Sequence, residues 1–368
     1  MTTPFELVDD LGPKSVLHVH NRDAGLKAIV VVDNTACGPA IGGTRMAPDV
    51  SLEECARLAR AMTFKNAAAG LPHGGAKSVI FADPSMPPKQ KEQLVRAFAC
   101  AIADLRDYIP GPDMGTDETS MAWVLDETGR AVGLPRELGG IPLDEIGATG
   151  FGVAIAAEVA QQYCDVEIKG ARIAIQGFGA VGAHAALQLC KRGAILVAAA
   201  DSRSTVINPD GIDPEALVRT KEEDGRLASH PGVQVLDNAD IIGVDCDIWI
   251  PAARPDVINE GNVNKLKARL VIQGANIPAT AKAEEIMHAR GILSVPDFIA
   301  NAGGVICASV EYHGGNQAHA FADIEDKIRR NCDQVLLRAQ DSGQLPRTAA
   351  VQLAEERVRS AAALRRWG

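Results

Sequence analysis

The sequence predicts an α/β protein of two domains with a cleft between them. Three observations carry that expectation. Short β-branched runs alternate with helical segments along the chain. A glycine-rich turn sits between a run of strand character and one of helical character at residues 171–192. A Pro/Gly-rich connector at residues 134–142 divides 368 residues into two stretches, each long enough to bury its own core.

In chain order, residues 26–32 are a β-branched run bounded by Gly25 and Asp33-Asn34, which reads as a strand. Ser51 and Glu54 form a capping box that opens a helix. Leu52, Cys55, Ala59 and Met62 give that helix an apolar stripe, and Gly70 is its expected stop. Residues 78–81 read as a second strand, ended by Asp83-Pro84, and 89–105 as a long helix. Beyond the connector come a small-residue helix at about 149–163, a strand at 171–176, a helix at 181–192 and a strand at 195–200. The short apolar runs 248–250, 270–272 and 292–295 extend the alternation, which predicts a parallel, doubly wound sheet. The last thirty residues, rich in Ala, Leu and Arg, read as helical.

Composition limits the function classes. The chain is 46% apolar and 23% charged, with a net charge of −10 and no basic cluster, which argues against nucleic acid or an anionic membrane as partner. Eight scattered cysteines form no C-x-x-C pair, so free thiols in a reducing, cytoplasmic setting are expected. The start of the sequence lacks the pattern of a signal peptide, and no stretch is long and apolar enough to span a bilayer. His18 and His20 have the spacing of metal ligands on a strand, but they lack a cysteine or acidic partner nearby, so no metal is expected.

Residues 177–182, Gly-Phe-Gly-Ala-Val-Gly, match the G-x-G-x-x-G pattern in the context its mechanism needs, after a strand and opening a helix. The glycines permit a tight turn and let the backbone approach a pyrophosphate at a helix N-terminus. Gly177, Phe178, Gly179, Ala180, Val181 and Gly182 are therefore candidate cofactor contacts. Asp201 follows 19 residues past Gly182, where an acid would bond the adenosine ribose 2′-hydroxyl. It favours NAD over NADP, with Ser202 beside it. Arg203 could instead attract a 2′-phosphate, although a solvated surface arginine is the plainer reading.

Lys65 and Lys77 stand twelve residues apart, the second behind a Gly74-Gly75 turn. Two ammonium groups in an apolar stretch suit an anionic substrate and a tuned base. A lone helical lysine is ordinarily a solvated surface group, and His73, four before Lys77, reads as a structural loop histidine.

These lysines, with residues 38–45 (Gly-Pro-Ala-Ile-Gly-Gly-Thr-Arg), 111–116 (Gly-Pro-Asp-Met-Gly-Thr), Ala275-Asn276 and 301–305 (Asn-Ala-Gly-Gly-Val), resemble the glutamate/leucine/phenylalanine/valine dehydrogenase family over about residues 26–326. The resemblance implies reversible, NAD-linked oxidative deamination of an L-amino acid to a 2-oxo acid and ammonia by a homo-oligomer. By position, Lys65 would pair the substrate α-carboxylate. Lys77, its pKa lowered by its neighbour and by burial, would activate the water that attacks the imine, and Asp113 would shuttle a proton to and from the substrate nitrogen. Thr149 and Asn276 would hold the carboxamide side of the nicotinamide or nearby substrate atoms, and Ala252 and Asn301 would be further cofactor contacts. The domains implied are a catalytic one, 1–135 with helices 335–368 packing back onto it, and a Rossmann-type NAD-binding one, 136–334.

In glutamate-specific members a lysine stands where this chain has Ile41, and a serine where it has Ala308. The substrate side chain would therefore meet an apolar pocket, formed by Ile41, Gly42, Met62, Gly111, Val305 and Ala308. Small Gly111 and Ala308 hint at a larger aliphatic or aromatic side chain, unless Met62 or Val305 fills the space. The expected substrates are Leu, Val, Phe or Trp. Glutamate is the alternative, since much of the scaffold resembles glutamate members, and a non-catalytic nucleotide-binding protein is the alternative of another class.

Overall fold

Two separate mixed sheets organise the chain. The structure, a computed structural model, describes residues 4–366. It divides into one unit made of Met1–Leu143, Val305–Asp323 and Val351–Gly368, and a second made of Asp144–Gly304 and Ile324–Ala350.

The first unit holds β1 (Ser15–Asn21), β2 (Leu26–Asn34), β3 (Ala40–Ala47), β4 (Gly74–Phe81) and β5 (Tyr108–Pro112). Their order in the sheet is β1-β2-β4-β3-β5, antiparallel from β1 to β4 and parallel from β4 to β5. Sequence reading finds β2 and the second half of β4. It misses β3 and β5 because glycine and proline lower their strand propensity. Gly74 and Gly75 are not a turn but the start of β4. A Cβ on Gly74 would lie 1.8 Å from the Asn34 carbonyl oxygen, and one on Gly75 2.0 Å from the Thr63 nitrogen. Glycine at 74 lets the end of β2 lie close to the strand, and glycine at 75 lets a helix backbone do so.

That helix is α1 (Leu52–Ala68), whose Ser51 side chain accepts the Glu54 N–H at 3.1 Å, as the capping box predicts. Two more helices complete this part, α2 (Pro88–Ala101) and α3 (Glu118–Thr128). α2 stops four residues short of the expected end. The Arg130 guanidinium takes the carbonyls that follow, donating to Ile102 at 2.7 Å, Ala103 at 3.0 Å and Leu105 at 2.9 Å, and also to Tyr108 at 2.9 Å. Strand alternation divides the apolar residues between the two faces of the sheet. Val30, Val32, Ile80 and Tyr108 pack with Phe98 and Met121 on one face, while Ile29, Val31 and Val79 pack with Cys55 and Ala59 of α1 on the other.

The second unit has β6 (Arg172–Gln176), β7 (Ile195–Ala200), β8 (Ser204–Ile207), β9 (Gln234–Asp237), β10 (Ile248–Pro251), β11 (Leu270–Ile272) and β12 (Leu293–Val295). The order β12-β11-β10-β6-β7-β8-β9 is parallel up to β7 and antiparallel beyond it. A wholly parallel sheet was expected. The departure follows from the Asp201 carboxylate, which accepts the N–H groups of Arg203 at 2.8 Å and Ser204 at 3.0 Å. The turn it closes is far too short for a crossover helix, so β8 returns antiparallel. The helices α4 (Ala148–Ala160), α5 (Ala180–Lys191), α6 (Pro214–Asp224), α7 (Ala281–Ala289) and α8 (Asp297–Ala300) belong to this unit. The chain then passes through α9 (Gly303–Tyr312), α10 (Gln317–Ser342) and α11 (Pro346–Ala362). Trp249 is fully buried in the sheet core and donates its indole N–H to Ile241 at 3.0 Å. No helix among the described residues is long and apolar enough to cross a membrane.

Arg130 gives the fold a test. Replacing it by Met keeps the buried stem and takes a charged donor from four carbonyls, of which Ile102 and Leu105 keep a backbone N–H partner, so thermal unfolding should show a loss of about 2 kcal/mol. A loss within ~0.5 kcal/mol, the range of an ordinary surface substitution, would remove Arg130 from any role in ending α2.

Candidate functional site

Sheet order brings the chemistry of the first unit together. β3 lies between β4 and β5, and alternation puts Ile41, Gly43 and Arg45 on one face with Gly75 and Lys77 of β4 and Ile109 and Gly111 of β5. Asp113 follows directly after β5. The Lys77 ammonium and an Asp113 carboxylate oxygen meet at 2.5 Å. They meet over Gly43, where a Cβ would come within 2.8 Å of the Asp113 Cβ and 3.0 Å of Lys77 Nζ. Any side chain at that position would part the pair.

The same Asp113 oxygen accepts Arg45 Nε at 3.0 Å, and Arg45 is held in turn by Glu54 at 2.5 Å. Burial alone would raise the Asp113 pKa. The charges and donors of Lys77 and Arg45 more than offset it and hold the carboxyl below its ordinary range. The loop is fixed from beneath: the Asp113 N–H donates to the Thr116 hydroxyl at 3.0 Å, and that hydroxyl donates to the Thr44 carbonyl at 2.7 Å. Lys77 is 6% exposed. Lys65 lies half-buried in the last turn of α1, the helix whose backbone touches Gly75.

The other end of this face is apolar. Ile41, Ile109, Val132 and Ala308 form one buried cluster. A Cβ added to Gly111 would sit 3.1 Å from Val132 Cγ2, so Val132 already covers the small residue. The room expected at Gly111 is thus taken by neither Met62 nor Val305, both half-buried and outside this cluster, but by a residue that sequence reading missed. Gly42 contributes closeness rather than contact, since a Cβ there would strike the Ala76 carbonyl at 1.7 Å. Glu311, one helical turn beyond Ala308, sets the Val132 loop. Its buried carboxylate accepts the N–H groups of Gly133 at 2.7 Å, Leu134 at 3.2 Å and Ile141 at 2.7 Å. Burial pushes its pKa up despite those donors.

The second unit carries the glycine loop. Gly177 has φ +96° and hugs Ala253, which leaves no room for a side chain. Gly182 packs so close to the Gly177 carbonyl that a Cβ would lie 2.0 Å away. A Cβ on Gly179, by contrast, would meet nothing within 4 Å. Gly179 is also the N-cap of α5, with no side chain capping that helix end. Open space in front of uncapped N–H groups, beside Ala180 and Val181, fits a dinucleotide pyrophosphate. Phe178 is turned into the core, and its carbonyl accepts Lys221 Nζ at 2.5 Å.

Asp201 accepts a third backbone N–H, from Leu227 at 3.2 Å. Its partial burial would raise the pKa, but the three N–H donors and the nearby Lys221 charge hold it below the usual carboxylate range. Ser202 and Arg203 are exposed. Around the sheet's far strands, Asn301 donates from Nδ2 to the Gly274 carbonyl at 3.2 Å and to Asn276 Oδ1 at 3.1 Å. Asn301 Oδ1 is buried and accepts nothing from the described residues. An orphan acceptor of this kind fits a carboxamide N–H. The Ala252 N–H continues the β6 ladder by donating to the Gln176 carbonyl at 2.7 Å. Thr149 is half-buried in the first turn of α4.

Open space at a glycine-rich strand–helix turn, in a chain that also pairs a buried lysine with an aspartate, fits an oxidoreductase of the nicotinamide-nucleotide type. Family comparison narrows the class. The model of "Glutamate/Leucine/Phenylalanine/Valine dehydrogenase" matches residues 139–366, and that of the "Glu/Leu/Phe/Val dehydrogenase, dimerisation domain" matches residues 13–130. The chain belongs to this family of amino acid dehydrogenases. It is similar to the NADP(+)-dependent glutamate dehydrogenase of Pyrobaculum calidifontis, 38% identical with 92% of this chain and 86% of that protein covered. Among solved structures it is similar to the hetero-hexameric glutamate dehydrogenase of Thermus thermophilus in its Leu-bound form. That match has a TM-score of 0.84 and 30% identity, covering 96% of this chain and 90% of the other. It is also similar to the L-tryptophan dehydrogenase of Nostoc punctiforme, with a TM-score of 0.77 and 26% identity, covering 97% and 99%.

His73 supplies a pH test in the same unit as Lys77. It is buried, its Nδ1–H donates to the Pro39 carbonyl at 3.0 Å, and its Nε2 has no hydrogen-bond partner among the described residues. Burial, with a smaller push from His313, lowers its pKa from 6.5 to about 4. The folded state therefore refuses a proton that the unfolded state binds, so stability is lost as pH falls from about 6.5 towards 4. Relative to His73→Phe, the wild type should lose on the order of 3 kcal/mol across that window in denaturant titrations. Parallel pH profiles for the two proteins would refute this.

Proposed function

We propose that this protein catalyses the reversible oxidative deamination of an L-amino acid with an apolar side chain, yielding the 2-oxo acid and ammonia. The observation that carries the substrate class is the buried wall of Ile41, Ile109, Val132 and Ala308 on the same sheet face as Lys77 and Asp113. A distal carboxylate placed against those four residues would be desolvated without a cation or donor, at a cost of about 2 kcal/mol or more.

Lys65 takes the substrate α-carboxylate, leaving the side chain to the apolar wall. Bound on the Gly177–Gly182 loop, the cofactor supplies a hydride acceptor for the substrate Cα. Lys77 acts as the base that removes a proton from the water attacking the imino carbon. Asp113 takes a proton from the substrate ammonium group before hydride transfer and returns it to the departing nitrogen, and Arg45 and Thr116 keep its carboxylate aimed. Thr149, Ala252, Asn276 and Asn301 serve the nicotinamide side. NAD is the proposed cofactor, because the ionised Asp201 carboxylate would repel a 2′-phosphate. The proposal includes self-association through the N-terminal region that the dimerisation-domain model matches, and a reducing, cytoplasmic setting for the free cysteines.

Glutamate as substrate is a second reading, and the comparisons favour it: the Pyrobaculum and Thermus proteins are both named glutamate dehydrogenases. The Nostoc protein, named for tryptophan, shows the fold serving an apolar side chain. A panel of amino acids read by absorbance of the reduced cofactor, with NAD and with NADP, separates the two. The apolar reading predicts kcat/KM for Leu, Val, Phe or Trp at least about tenfold above that for Glu, and NAD ahead of NADP. Glu as the fastest substrate would overturn the substrate class, and NADP preference would overturn the role given to Asp201. Ile41→Lys with Ala308→Ser should then move the ratio of Glu to Leu turnover upward by about a hundredfold.

A further inference from the structure

Ile277 adopts a conformation that its side chain disfavours. Its φ is +48°, in the left-handed region that a β-branched residue rarely enters. The side chain is 41% exposed, so packing does not hold it there. Two backbone hydrogen bonds do. The Ile277 N–H donates to Asp297 Oδ2 at 2.8 Å, and its carbonyl accepts the Asp256 N–H at 3.0 Å. Strain of this kind persists only where the surroundings over-determine it.

The surroundings here are a buried ion network around Arg347. Its guanidinium lies 2.9 Å from Asp297 Oδ1. It donates to Glu284 at 2.6 Å and to the Gln273 side-chain oxygen at 2.8 Å. Arg347 thus holds the five-residue segment 273–277 at both ends: at Gln273 directly, and at Ile277 through Asp297. Between those ends lies Asn276, whose Oδ1 is bonded to Asn301.

We propose that Asp297 is a positioning residue for the cofactor, which, by locking Ile277 in its left-handed conformation, sets the direction of Asn276 and so of the Asn276–Asn301 pair. Arg347 acts behind it by fixing the carboxylate. This rests on the reading that Asn276 serves the nicotinamide side. Without the Asp297 bond, Ile277 relaxes to a negative φ and the preceding residue swings away.

The substitution Asp297→Asn tests the bond with little change of shape. Arg347 requires an oxygen, so it takes the amide oxygen and turns the NH2 group towards the Ile277 N–H, donor against donor. Titration of the purified enzyme with NADH, followed by fluorescence without amino acid, should show Kd raised about tenfold or more. KM for the amino acid should stay within about twofold, which a general loss of structure would not allow. Adding Ile277→Gly to D297N should recover most of the lost affinity, since glycine holds φ +48° at no steric cost. Ile277→Gly alone should raise Tm, an outcome readable even if D297N folds poorly.

A Kd unchanged in D297N, or one raised but not recovered by I277G, would overturn the positioning role. A fall in Tm for I277G alone would overturn the claim of held strain. Asn276→Ala separates the underlying reading: if it leaves NADH Kd unchanged, the nicotinamide-side role of Asn276 fails, whereas a raised Kd there with none in D297N removes Asp297 alone.

Discussion

The salt bridge between Lys77 and Asp113 is the contact on which the first unit's site depends. Its two partners come from either side of β3 and touch only because Gly43, between them, has no side chain. Three constraints must hold together: the strand order β4-β3-β5, the register that sets Lys77 and Asp113 on one face, and a glycine at the crossing. Removing Asp113 would leave the buried Lys77 without its partner, which is costly, whereas removing Lys77 would leave Asp113 its bond to Arg45. Sheet topology and site chemistry are here one feature.

The same face explains how one surface can read two ends of a molecule. Alternation brings Ile41 and Ile109 onto the face that holds Arg45 and Lys77, and Val132 and Ala308 close over the apolar end. Charge is confined to one end, and the other carries only carbon. Glu311 links the two supports of the apolar end, since it sits on the helix of Ala308 and binds the loop of Val132. In the second unit the division of labour is similar. Glycines give the backbone its close approaches, while Arg347 and Asp297 hold the segment carrying Asn276.

Much of this was legible in the sequence where a residue type has one physical use. Ser51 and Glu54 located the start of α1, and the glycine loop located the β6–α5 turn. What was hidden lay in strands poor in strand-forming residues. β3 contains Gly42 and Gly43, and β5 contains Pro110 and Gly111, so neither shows the alternation that would have placed Arg45 beside Asp113. Val132 was invisible for a different reason: its contact with Gly111 is tertiary, and its loop is fixed by Glu311, nearly 180 residues downstream. The left-handed Ile277 could not be foreseen either, because its conformation is imposed by Asp297 against its own preference.

The central claim, that the carboxylate opposite Lys77 is a working group and not a brace, is tested most directly at Asp113. Asp113→Asn preserves size and removes both the charge and the ability to carry a proton. The kinetics of the purified variant with the best amino acid substrate should show kcat reduced by about a hundredfold or more, with cooperative unfolding retained. A folded D113N enzyme with kcat within about threefold of the wild type would contradict the claim.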